Sequence, residues 1–156
     1  MKRSRAPRLP WWWRLAPSAA KGRWLFELTQ RLNRDPGDDR AERELRVLLN
    51  STRARERRQG VYAATELTNP SEGVWGRVVE FLDDPDPSIR LSVIDMVGFD
   101  AQRASDALLN KCGVAAAKLA VERGHGRGSD EVAAKFEEVF SAEVARRHAE
   151  AAGHDV

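Results

Sequence analysis

The chain has 156 residues with a formal net charge of +2, and is 32% charged but only 7% aromatic. That length suits one domain able to bury a core, and no apolar run approaches the ~20 residues needed to cross a bilayer. A single cysteine, Cys112, excludes an internal disulfide framework and points to a reducing, cytoplasmic setting.

Charge is unevenly placed. Residues 1–26 hold seven Lys/Arg and no acid, so the rest, with 19 basic and 24 acidic residues, is net −5. Residues 1–17, MKRSRAPRLPWWWRLAP, read as a basic, Trp/Pro-rich extended arm, because prolines at 7, 10 and 17 forbid one continuous helix. The apolar stretch is too short for a secretory signal and is broken by Arg14, whereas a transit peptide shares the Arg-rich, acid-poor composition. A helical domain then spans 18–153. Its leading helix runs from Ser18 to about Asn33, with Trp24, Leu25, Leu28 and Leu32 on one side, and Asp35-Pro36-Gly37 stops it.

A second helix starts near Asp38, where Asp39 and Glu42 have capping-box spacing, and its buried stripe is Ala41, Leu45, Leu48 and Leu49. Arg43 and Arg46 sit four residues after Asp39 and Glu42, which predicts local ion pairs. After a corner at Asn50-Ser51-Thr52, a third helix continues to about Thr68, ended by Asn69-Pro70. Val74, Val78, Phe81 and Leu82 recur at helical spacing before the corner Asp83-Asp84-Pro85-Asp86-Pro87. Ile89, Val93, Met96 and Val97 do so after it, with Asp86 as cap and Pro87 as first helical residue. Shifted by 33 residues, Leu45, Leu48, Leu49, Arg57, Gly60 and Ala64 fall on Val78, Phe81, Leu82, Arg90, Val93 and Val97.

A long helix is predicted from about Gln102 to Glu122, with Ala104, Leu108, Cys112, Ala115 and Leu119 inward. Gly124 to Gly128 read as a flexible turn. Ser129 caps a last helix that buries Val132, Phe136, Val139, Phe140 and Val144 and frays near Gly153.

The LxDPDPxIRxxV pattern at 82–93 resembles a HEAT repeat, the helical-hairpin module of α-solenoids. The resemblance covers 38–99, and 102–150 by architecture alone. It implies an all-α fold: a short right-handed α-solenoid of about three HEAT-like hairpins with a leading helix. It also implies that Asp84 and Arg90 brace adjacent repeats and that the second helices, 53–68 and 86–99, line a concave binding face. The earlier copy has Ser51 in place of the corner Asp and lacks the proline.

Neither the three histidines, His125, His148 and His154, nor Cys112 has metal-ligand spacing, and Cys112 falls on an apolar stripe as a structural thiol. GHGRG lacks the ending and preceding strand of a phosphate loop, and Asp83, Asp84 and Asp86 are explained by capping and bracing. The expectation is a non-enzymatic adaptor or assembly subunit without cofactor or metal. Two features favour partner binding. Arg53, Arg55, Arg57 and Arg58 form a run in which Arg53 and Arg58 are available to an acidic partner. Trp11, Trp12, Trp13 and Arg14 combine the residue types that dominate binding hot spots. A protein is the expected partner. A nucleic acid, gripped by a basic groove or stacked on indoles, and a membrane surface, met by the arm, are the alternatives.

Overall fold

The computed structural model describes residues 9–123 and 127–153, and among them every regular element is helical, in keeping with the all-α expectation. Residues 1–8, 124–126 (where part of a turn is expected) and 154–156 lie outside the described residues. The chain divides into two compact units, with the boundary between Val78 and Val79.

The first unit holds α1 (Ser18–Arg34), α2 (Asp39–Leu49), α3 (Ala54–Thr65) and nearly all of α4 (Glu72–Val79). Ahead of α1 the described part of the arm, 10–16, is not extended. Trp13 N–H donates to Pro10 O, and the amides of Leu15 and Ala16 donate to Trp12 O, closing one helical turn. Pro17 is the N-cap of α1, and its carbonyl accepts from Ala20 and Lys21. The prolines thus start helical segments, a position where a missing N–H costs nothing. Trp13 is the result: 1% exposed, its ring edge-on to Trp24 at 4.9 Å.

Asp38, rather than Asp39, caps α2 by accepting from Ala41 N–H at 2.9 Å. That backbone bond, together with Arg31, holds the Asp38 carboxyl below its ordinary range. Arg31 reaches Asp38 (2.9 Å) and Glu44 (3.1 Å), stapling α1 to α2. Ala41, Leu45, Leu48 and Leu49 are fully buried, as their spacing predicts. Arg46 pairs with Glu42 at 2.7 Å. α3 ends at Thr65, three residues before the expected Thr68, because the Asn33 amide clips the chain beyond it, donating to Glu66 O and accepting from Thr68 N–H. α4 lies beside α2 in the same direction, with Gly73 against the Arg46 guanidinium and Arg77 donating to Leu49 O.

The second unit contains α5 (Pro87–Phe99), α6 (Asp106–Arg123) and α7 (Arg127–Gly153), with 3-10 turns at Glu80–Asp83 and Ala101–Arg103. Pro87 opens α5, and Asp86 caps it by accepting from Ser88 N–H at 2.9 Å. Phe81, Leu82, Ile89, Val93, Met96 and Val97 are buried. α6 starts later than expected, after a break at Ala104-Ser105, and its inward stripe is Leu109, Cys112, Ala116 and Leu119. Leu108 and Ala115 are each one position off that stripe and only half-buried. α7 begins at Arg127, two residues before the expected cap at Ser129. Phe136 is buried, while Val139, Phe140 and Val144 are half-buried. Arg147 fastens α7 to the other end of the unit through Asp106 and the carbonyls of Ala101 and Ala104. Arg146 and Arg147 both donate to Glu143, holding its carboxyl down at about 2.

Candidate functional site

The arginine run enters α3 through its corner. Arg53 is the N-cap residue, largely exposed, and contacts Glu56 at 3.9 Å. Glu56 is buried and accepts a 2.5 Å hydrogen bond from Ser51 Oγ. Arg57 is drawn inward, donating to Ser51 O (3.1 Å) and Thr52 O (3.0 Å). Arg55 and Arg58 stay exposed. Arg90 does for the second corner what Arg57 does here, donating to Asp84 O (2.8 Å) and Pro85 O (3.3 Å) and also reaching Glu122 on α6.

The arm's four candidate residues separate. Trp11 and Arg14 are exposed, Trp12 is half-buried, and Trp13 belongs to the core. The structure nevertheless brings the arm and the arginine corner together. A cleft of about 520 Å³ has Trp11, Trp13 and Arg14 on one side and Asn50, Ser51, Thr52 and Glu56 on the other.

A second surface escaped the sequence reading. Arg55, Arg58 and Tyr62 follow at i, i+3 and i+7, so α3 presents them along one stripe. Tyr62 is 61% exposed, and Phe26 of α1 is 64% exposed across a groove of about 280 Å³ floored by Gly22, Leu25 and Ala63. Helical spacing from Arg55 was the available signal. Attention to charge alone passed over the tyrosine.

The titratable groups explain structure before chemistry. Burial pushes the Cys112 thiol up to about 12, against a smaller opposing pull from Lys111. Among the described residues no three His, Cys, Asp or Glu side chains gather as a metal site. Nor is any described helix long and apolar enough to cross a membrane. No family model matches the sequence, and no curated protein or solved structure matches it either. Both candidate surfaces mix aromatic rings with guanidinium groups, the composition of protein-binding hot spots.

Proposed function

We propose that the protein is a non-enzymatic adaptor built as a short right-handed α-solenoid of HEAT-like hairpins, holding a protein partner on the face formed by α1 and α3. Two observations support the repeat architecture: α4 runs alongside α2 in the same direction, and the arginines 33 residues apart grip their corners through equivalent carbonyls. The observation that carries the binding role is that exposed Tyr62 and Phe26 line one groove between α1 and α3, with exposed Arg55 and Arg58 on the same helical stripe as Tyr62. Leaving two aromatic rings open beside a groove costs solubility, and covering them against a partner recovers that apolar area. Guanidinium groups along the stripe select an acidic rim on the partner.

The test is capture with the tagged full-length chain from its native cell. Changing Arg58 to Glu together with Tyr62 to Ala should lower partner recovery by about 30-fold or more, as hot-spot residues do. The thermal midpoint should barely move, because both residues are surface-facing. Undiminished recovery would return the stripe to a solvated face. A nucleic-acid partner would show itself by steep loss of binding between low and physiological salt.

A further inference from the structure

We infer that the N-terminal turn is a docking tip for the surface of an anionic bilayer. The turn from Pro10 to Ala16 is amphipathic in an unusual sense. Its inward side carries Trp13, and its outward side carries two large apolar residues. Trp11 and Leu15 are four residues apart in a helical turn, so they project together, and they are 87% and 84% exposed. The same segment buries one indole completely, which anchors the turn and holds the outward pair in place.

Three cations belong to the arm and to the start of α1. Arg14 lies between them in sequence and is exposed, Arg23 is exposed beside Trp12 and Trp24, and Lys21 sits 5.9 Å over the Trp13 ring. Glu27 is the carboxylate that shares the Trp12–Trp24 cleft. No acid occurs among the first 26 residues, against seven cations, while the rest of the chain is net negative. The charge pattern draws this segment toward an anionic surface.

The chemistry of the pair chooses among anionic surfaces. A nucleobase gains from stacking on Trp11 but nothing from Leu15. The boundary between headgroups and acyl chains accommodates an indole, an aliphatic side chain and a guanidinium side by side. Neither the apolar pair nor the charges suffice alone, since stable attachment requires two weak signals acting together.

The test uses the full-length chain with vesicles of phosphatidylcholine alone, or mixed with phosphatidylserine as the minor component. Co-sedimentation is expected with the mixed vesicles, weakening as salt is raised, and with little retention on phosphatidylcholine. Trp11→Ala combined with Leu15→Ala should reduce retention at least about tenfold, with helical circular dichroism and thermal midpoint unchanged. Recovery of a protein partner through Arg58 and Tyr62 should survive that double change, which separates this inference from the adaptor reading. Equal retention on both vesicle types, none on either, or full retention of the double variant would overturn it. Absence of vesicle binding together with a Trp11-dependent oligonucleotide or protein complex would assign the tip to that partner instead.

Discussion

The corner at 51–57 and the corner at 84–90 solve one problem with different side chains. In both, an oxygen of the first residue accepts from the amide two places on: Ser51 Oγ from Arg53 N–H at 3.2 Å, and Asp84 Oδ1 from Asp86 N–H at 2.8 Å. In both, the arginine six residues after that position ties down two corner carbonyls. What differs is the residue just before each arginine: a buried carboxylate, Glu56, in the first corner and a buried aliphatic, Ile89, in the second. A hydroxyl both accepts from the turn and donates to Glu56, which a carboxylate cannot do. The turn demands an acceptor. The neighbour beneath decides whether that acceptor is Ser or Asp.

The corners also differ in how closely their helices approach, and this gives the largest expected effect. Gly60 of α3 corresponds to Val93 of α5, but a Cβ at Gly60 would stand 3.0 Å from Leu48 Cβ and 3.0 Å from Leu49 N. Gly60→Val, importing the second corner's residue, should destabilise by about 3 kcal/mol, the upper end of overpacking costs. A chemical-denaturation midpoint near that of the wild type would show that α2 and α3 have room to separate.

The bracing arginines come next. Arg90 is buried and also reaches Glu122, whereas Arg57 is half-buried at its own corner. Arg90→Met should cost about 2–3 kcal/mol by stranding buried acceptors, and Arg57→Met about 1 kcal/mol. Equal losses in urea unfolding would mean that the bond to α6 contributes little.

The effect at Ser51 is the sharpest. Ser51→Asp restores the corner aspartate of the repeat pattern, yet it sets a second carboxylate against Glu56. It should destabilise by about 1–2 kcal/mol at neutral pH. Adding Glu56→Ile, the second corner's residue, should recover most of that loss. If Ser51→Asp stabilises the protein by itself, the account of the first corner is wrong.

Much of this fold was legible because contrast in the sequence is strong where packing is strong. Leu45, Leu48 and Leu49 stand among charged residues, so one register alone buries them, and Asp86-Pro87 announces the start of α5. Contrast fails in α6, which is apolar on nearly every side. Leu108 and Leu109 compete equally there, and tertiary packing picks the second. The cap of α2 was blurred by two adjacent acids, and the early end of α3 depends on Asn33, distant in sequence. Three prolines suggested an extended arm, but each observed one, Pro10 and Pro17, begins a helical segment. For the candidate site, the sequence supplied the arginines and indoles. It hid which indole is buried and that Tyr62 shares a stripe with Arg55 and Arg58, since exposure arises only when α1 meets α3.

The buried thiol of α6 makes the second unit its own timekeeper. Cys112 is the chain's sole cysteine, and a thiol held near 12 is almost wholly protonated at neutral pH, hence unreactive while enclosed. A slow alkylating reagent therefore reacts at a rate set by the fraction of time α6 is swung away from its neighbours. Comparing that rate with the rate in denaturant yields the fraction of time this half of the molecule spends open, with no label, tag or substitution required.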